Sequence, residues 1–294
     1  MSVELLDQLT LLEINGDDAT QFLQGQLTND INQAVNTWQF SGYCNPKGRL
    51  LALFKVWRYQ DSIYALIDNT LVDSIVKRLR MYVMRSKVEI HISESKCFGL
   101  LNVESLRQSI TQISQPTIDL LTNDKNAFFS DGQHHILSLG DRFLYVSTQT
   151  ISNAKTDSHE WLTLDIQDGL PSVAQLSTEL FIPQMLNLDI LGGINFKKGC
   201  YTGQEIVARM HYLGKVKQRM FVTKLSQEDE NIQVGDKVYS DESLGKNAGN
   251  IVAIQGSDAL AVLRTEETSE QQQYYLNQTT SLEVRPQQPY SLDQ

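Results

Sequence analysis

The sequence predicts a mixed chain of helices and strands in two or three domains, closing in a small antiparallel barrel or sandwich. Three observations carry this. The 294 residues suffice for two or three domains of roughly 100–150 residues each. Up to Ile92 the apolar residues alternate between strand and helical spacing, and from Cys97 to about Thr156 short strands surround a polar helical stretch. From Phe221 onward, short apolar runs recur between turn residues.

In order, Leu9–Ile14 reads as a strand ended by Asn15-Gly16, and Asp17 or Asp18 caps a short helix over 19–23 that stops near Gly25. Phe40–Cys44 is a strand, and Asn45-Pro46-Lys47-Gly48 is a strong turn signal. Leu50–Arg58 and Ser62–Ile67 form a hairpin. A helix follows from Leu71 to Met81, capped by Asp68 or Asn69, with Leu71, Ile75 and Leu79 on one face, and Lys87–Ile92 is a further strand. In the middle unit, strands at 98–103, 126–129, 135–139 and 143–146 flank helical residues near 105–114. Trp161–Ile166 reads as a strand broken by Gly169-Leu170-Pro171. The last strands are 221–225, 237–239, 250–254, 260–263 and 281–284, with Glu228-Asp229-Glu230 and Gln271-Gln272-Gln273 as polar loops.

Composition narrows the class. A hydrophobic fraction of 41% and a charged fraction of 20% belong to a soluble globular protein. The N-terminus shows no basic, apolar leader, and no run approaches the roughly 20 apolar residues of a membrane span. Three widely spaced cysteines, Cys44, Cys97 and Cys200, fit a reducing cytosol and offer neither a disulfide framework nor a four-thiolate metal site. The net charge of −10 argues against a protein coated in nucleic acid or attached to anionic lipid. It is uneven, however: six Lys/Arg lie between Lys197 and Arg219 against Glu205 alone, whereas twelve acids and five bases follow from Lys224 to the end. That patch reads either as a solvated helix face or as an anion-binding surface.

Chemistry concentrates in Phe196-Lys197-Lys198-Gly199-Cys200-Tyr201-Thr202-Gly203-Gln204-Glu205. Thr202 and Glu205 have the spacing of a capping box. Ile206, Val207, Met210 and Leu213 then follow at helical spacing, and Gly214 supplies the stop. Cys200 would thus lie two residues before a helix N-terminus beside Lys197 and Lys198, conditions that favour a reactive thiolate. The alternative is a small buried cysteine before an ordinary capped helix. The five histidines include no H-x-x-x-H or H-E-x-x-H, and G-x-S-x-G and the phosphate-loop pattern are missing. A Cys200–His211 pair would sit at opposite ends of the helix, which disfavours a hydrolase.

The run Lys197 to Glu205 with Val207-Ala208-Arg209 resembles the signature of the YgfZ-type folate-binding proteins. Phe22-Leu23-Gln24-Gly25-Gln26-Leu27-Thr28-Asn29-Asp30, Cys44-Asn45-Pro46-Lys47-Gly48-Arg49, Gly169-Leu170-Pro171, Phe181-Ile182-Pro183-Gln184, Asn187-Leu188 and Pro289-Tyr290-Ser291-Leu292 are similar to that family's other motifs, so the likeness spans nearly the whole chain. It implies the α+β, three-domain fold of the glycine-cleavage T-protein with a C-terminal antiparallel β-barrel. The domains would be 1–93 plus 157–216 (folate-binding), 94–156 (small α/β) and 217–294 (barrel). It implies a folate, tetrahydrofolate, as ligand and a part in assembling or repairing iron–sulphur proteins. tRNA methylthiolation would follow through iron–sulphur enzymes. The partners would be those enzymes or assembly factors, with tRNA met indirectly, no membrane, no metal bound by this chain alone, and a cytoplasmic location.

Carried onto this sequence, the resemblance makes Cys200 the functional thiol, with Lys198 and Glu205 beside it in the motif. Trp161, Glu179, Arg209 and Leu9 become the folate-side positions. Trp161 matches a tryptophan associated with folate, or is a core strand residue. Glu179 stands where the T-protein enzymes use a glutamate for the pterin. Arg209 would meet the tail carboxylates or lie on a solvated face, and Leu9 replaces a tryptophan found in some relatives. The enzymes' paired aspartates correspond to Leu51 and Ala52, which cannot take a proton. Two further readings stay open: a folate-dependent one-carbon transferase using Asp30 or Glu179, and direct tRNA binding through the Lys197–Arg219 patch.

Overall fold

The computed structural model describes residues 3–291 except 36, 85, 111, 112, 157, 158, 267–271 and 287. Gln271 of the expected polar loop and Leu292 of the C-terminal motif lie outside the described residues. The chain forms two compact units. The first is Met1–Tyr43, Ala52–Trp161 and Lys197–Tyr201, and the second is Cys44–Leu51, Leu162–Phe196 and Thr202–Gln294.

The first unit holds two five-stranded antiparallel sheets. Its elements run β1 (Val3–Leu5), β2 (Leu9–Asn15), α1 (Ala19–Gln24), β3 (Gln39–Cys44), β4 (Leu50–Tyr59), β5 (Ser62–Asp68), α2 (Val72–Val83), β6 (Glu89–Ile92) and β7 (Lys96–Leu100). They continue with α3 (Val103–Ser109), α4 (Gln115–Asn123), β8 (Phe128–Ser130), β9 (His134–Ser138) and β10 (Phe143–Ser147), while α5 (Glu160–Gln167) has its first two residues in this unit and the rest in the second. One sheet has the order β3-β4-β5-β2-β6, the other β1-β7-β10-β9-β8. The near-continuous apolar run of β4 places it inside its sheet, where Leu50 to Phe54, Val56 and Trp57 are all buried. In α2 the predicted stripe is buried at Ile75 and Leu79. The Asp68 carboxylate accepts from Thr70 N at 3.0 Å and opens a single 3-10 turn over Asn69–Leu71 before the helix. At the sheet edge, the Arg80 guanidinium donates to the Ile90 carbonyl of β6 at 2.7 Å.

Local capping explains the helical region of the middle segment. The Asn102 side chain accepts from Ser105 N at 2.9 Å to start α3, so the chain turns helical where the strand was expected to run on to 103. Ser114 caps α4 ahead of Pro116, and this second helix was missed in the sequence. Val3, Phe98, Leu100, Leu106 and Phe143 share one core. β1 also escaped the sequence reading, its three residues being too few for a pattern; it pairs with β7, Val3 opposite Leu100.

Residues 161–166 form α5, not the strand predicted. The alternation of Trp161, Leu162, Leu164 and Ile166 satisfies either period, and main-chain bonding decides between them. The Glu4 carboxylate accepts from Trp161 N at 3.0 Å. At the other end Leu170 N donates to Asp165 O and Gly169 N to Ile166 O, with Gly169 left-handed at φ +65°. This is a Schellman-type stop, so the predicted strand breaker ends a helix.

The second unit contains α6 (Gln204–Tyr212) and the strands β11 (Gln218–Leu225), β12 (Lys237–Tyr239), β13 (Asn247–Gln255), β14 (Asp258–Arg264), β15 (Gln273–Tyr275) and β16 (Ser281–Val284). The strands close into a barrel of order β11-β14-β13-β12-β15-β16, which settles barrel against sandwich. Gln273, expected in a loop, starts β15, whose buried Tyr274 fills the barrel core with Leu282, Val238 and Leu263. Just outside, Arg219 and Asp189 make two hydrogen bonds of 2.9 Å each, with side chains 5% and 7% exposed. Removing one charge strands the other away from water. Asp189→Asn is therefore expected to cost about 3–5 kcal/mol, read as a lowered denaturation midpoint.

Candidate functional site

The motif stretch is shared between the units, Lys197–Tyr201 with the first and Thr202 onward with the second. In the first unit Lys198 Nζ donates to Leu27 O and Asn29 O, each at 2.7 Å. Both carbonyls belong to the motif around Phe22–Asp30, so two motifs some 170 residues apart in sequence are joined by one ammonium group. Desolvation pulls the Lys198 amine down to about 8, against the raising influence of Asp30. Asp30 is itself tied: its Oδ1 accepts from Gln24 Nε2 at 2.9 Å and from Asn32 N at 3.0 Å. Burial pushes its carboxyl up, but these bonds and the Lys198 charge outweigh it and leave the pKa below the ordinary value. Main-chain acceptors such as Leu27 O carry no side-chain signal, so this link is invisible in the residue pattern.

In the second unit Gly203 is left-handed, at φ +85°, and forms the N-cap of α6 without a side-chain cap bond. A Cβ there would fall 2.6 Å from Asn45 O and 3.0 Å from Cys44 Cβ. Gly48, at φ +70°, likewise lies against Ile206. The turn at 44–48 thus presses on the start of α6, and only glycine fits the approach. This contradicts the predicted capping box: the helix starts after Gly203, Thr202 is not its cap, and Glu205 is an exposed first-turn residue. Cys200 consequently stands three positions before the N-cap, Gly203, and not two before a helix start at Thr202. The apolar spacing after Glu205 also misled, since Val207 alone is buried in α6 and Leu213 is 85% exposed.

Cys200 is exposed, while Cys44 and Cys97 are buried. Desolvation drives each buried thiol up to about 12. Cys200 is therefore the accessible thiol among the three, which excludes the reading of it as a small buried residue. Lys197 beside it is also exposed.

The folate-side positions divide as well. In the first unit Trp161 is 1% exposed. Its indole lies so close to Gly99 that a Cβ there would be 2.3 Å from Cε3, and the Arg142 guanidinium carbon is 4.5 Å from the ring centroid. The ring is packed into the core, with Gly99 and Arg142 against it. Leu9 is half-buried on β2, opposite Asp68. In the second unit Glu179 is exposed and left-handed, at φ +63°, with its N–H bonded to Leu50 O at 2.7 Å. Arg209 is exposed on α6. Leu51 and Ala52, in place of the enzymes' aspartates, are buried in β4.

Two buried amide oxygens in the motifs, Gln26 Oε1 and Gln184 Oε1, have no hydrogen-bond partner among the described residues. Gln184 is oriented by its own Nε2 bond to Val207 O at 2.7 Å. Orphaned acceptors of this kind call for an N–H donor, and a pterin is rich in them. Each of these oxygens, Gln26 Oε1 in the first unit and Gln184 Oε1 in the second, is, taken separately, an acceptor of the kind such an N–H group would meet. Neither of two surface hollows coincides with these residues: one of about 380 Å³ is lined by Asp73, Val76, Lys77, Arg80, Met81 and Ile92, the other, of about 540 Å³, lies against the barrel near Asn231 and Tyr239. Among the described residues no group of three or more His, Cys, Asp or Glu is placed to hold a metal ion, and no helix is long and apolar enough to cross a membrane.

No family model matches the chain. Its curated relatives include the tRNA-modifying protein YgfZ of Hamiltonella defensa, 32% identical over 236 residues, 75% of this chain and 69% of the relative. The protein of the same name from Vibrio vulnificus strain YJ016 is 30% identical over 313 residues, 100% of this chain and 93% of the relative. Among solved structures, the glycine cleavage system aminomethyltransferase T of Bartonella henselae superposes with a TM-score of 0.71 at 14% identity, covering 99% of this chain and 85% of that one. The chain therefore has the T-protein fold, as the motifs implied.

The Lys198 environment has a measurable signature. Its folded-state pKa of about 8 lies below the ordinary value of about 10.4. The cost of holding the charged amine is therefore complete below pH 8. It is relieved as pH rises between those two values, so this group favours the fold increasingly across that window. Competitive acylation read by mass spectrometry is expected to half-saturate Lys198 near pH 8, and Asp30→Asn to move that midpoint lower. A midpoint near 10 would mean a solvated ammonium and no clamp.

Proposed function

The chain belongs to the YgfZ family, and on that premise we propose that it binds tetrahydrofolate and supports the assembly or repair of iron–sulphur proteins, and thereby tRNA modification, with Cys200 as its functional thiol. The observation that carries this reading is the disposition of the cysteines: Cys200, inside the Lys198–Glu205 motif, is exposed, and the other two are shut in the core. A thiol so placed attacks a disulfide or persulfide, carries sulphur, or ligates a cluster completed by a partner; each role needs an accessible sulfur. In a reducing cytoplasm that sulfur stays free between encounters. Lys198 positions the stretch through the carbonyls of Leu27 and Asn29.

For the folate, Glu179 would receive the pterin N–H groups and Arg209 the tail carboxylates, both being exposed charged groups. A folate supplies a one-carbon unit or a reduced pterin when bound. Trp161 would hold the surrounding packing. Leu51 and Ala52 argue against aminomethyl transfer, because neither side chain can accept a proton where charge would develop.

Two measurements test the reading. Cys200→Ser, introduced into a strain lacking its own family member, is expected to fail to restore tRNA methylthiolation although the protein accumulates; full restoration would remove the thiol from the mechanism. In calorimetry, tetrahydrofolate is expected to give heat with the unaltered protein, and Glu179→Ala to weaken binding roughly 10- to 100-fold through loss of charge-assisted hydrogen bonds. No heat with the unaltered protein sinks the folate proposal.

A further inference from the structure

We infer that the C-terminal end of α6 is a docking platform for single-stranded RNA, in which an unpaired base extends the aromatic stack of Phe196 and His211 while Lys215 and Lys217 meet the phosphates. The inference rests on the YgfZ-family reading for its biological setting and on the following geometry for its chemistry. All the residues belong to the second unit. The rings of Phe196 and His211 lie 3.7 Å apart between centroids and within 10° of parallel. Tyr212 stands across both, at 73° to His211 with centroids 4.7 Å apart and at 71° to Phe196 at 6.2 Å. The group is on the surface: His211 is exposed and Tyr212 is 63% exposed.

Two features favour RNA over an apolar partner. A parallel pair with a perpendicular neighbour forms a corner whose floor is a flat, polarisable ring, the shape that receives a splayed base. The cations follow at once in the chain: Lys215 is 78% exposed, with only a 4.0 Å approach to Glu266, and Lys217 is exposed. Against these stands the negative partial charge of the helix's last turn, which the two lysines offset. The net charge of −10 makes the site local, with few phosphate contacts, and sets the scale of its salt dependence. Two or three contacts on a single strand weaken binding by about 7- to 18-fold between 50 and 200 mM salt.

Fluorescence anisotropy with the full-length protein, a labelled unmodified anticodon stem-loop, a single-stranded oligouridine and an RNA duplex of equal charge tests this. Micromolar binding of the two RNAs with unpaired bases, weaker binding of the duplex, and a roughly 10-fold loss in Tyr212→Ala or His211→Ala are expected. Lys217→Ala should reduce the salt slope by about 0.7. The affected side chains are on the surface, and unchanged melting curves would show that the variants fold. Equal affinity for the duplex, or Tyr212→Ala binding as well as the parent, would overturn the stacking platform. So would no binding at 50 mM salt, or a photo-crosslinker at position 212 that captures protein and no RNA in cells; either would reassign the surface. Tetrahydrofolate calorimetry on Tyr212→Ala separates the two proposals, since folate binding is independent of this corner.

Discussion

A half-buried ammonium group cannot rest without acceptors, and Lys198 finds them in the carbonyls of Leu27 and Asn29. This requirement organises the first unit around its motifs. The loop after α1 must present two carbonyls to one point, which its own network arranges through Gln24, Asp30 and Asn32. The Asn29 amide donates to Phe40 O at 2.9 Å and ties the same loop to β3. Cys200, two residues beyond Lys198, is thereby carried on an anchored segment while its sulfur stays in the open. The amine's lowered pKa is the cost of that anchorage, because the same desolvation that strengthens the two bonds penalises the charge.

The second unit meets the motif by a different means. Close backbone approach at Gly203 and Gly48 brings the turn at 44–48 against the start of α6. Two glycines with positive φ do there what the lysine does in the first unit: they fix a stretch of chain against a distant partner. One device is electrostatic and the other steric, and they respond differently. The lysine contact changes with pH as its amine titrates, whereas the glycine contact is indifferent to pH and intolerant of any side chain.

Legibility in the sequence followed the range of the deciding interaction. Strands β2, β4 and β5, helix α2 and most of the barrel were readable because their apolar periodicity reports burial directly. α5 was misread because Trp161, Leu162, Leu164 and Ile166 suit both periods, and the choice fell to Glu4, a residue 157 positions away. The capping box failed for a similar reason: Thr202 and Glu205 have the right chemistry, yet the helix start is dictated by Asn45 pressing on Gly203. β1 and β15, of three residues each, are strands only through their neighbours. For the site, residue types pointed to Cys200 and Lys198, but exposure of the one and the acceptors of the other are tertiary facts. The aromatic corner at Phe196, His211 and Tyr212 was hidden because position 196 precedes the helix by a loop and stacks only after the chain turns back.

One small contact has a wider meaning. β6 is a four-residue strand at the end of its sheet, and Arg80 occupies the carbonyl of Ile90. Sheet edges with free main-chain groups recruit strands from other molecules. The barrel has no such edge, being closed through β11 and β16. The chain thus guards one rim by closure and another by a guanidinium. Losing that guanidinium would unsettle colloidal behaviour in a crowded cell before it disturbed the fold.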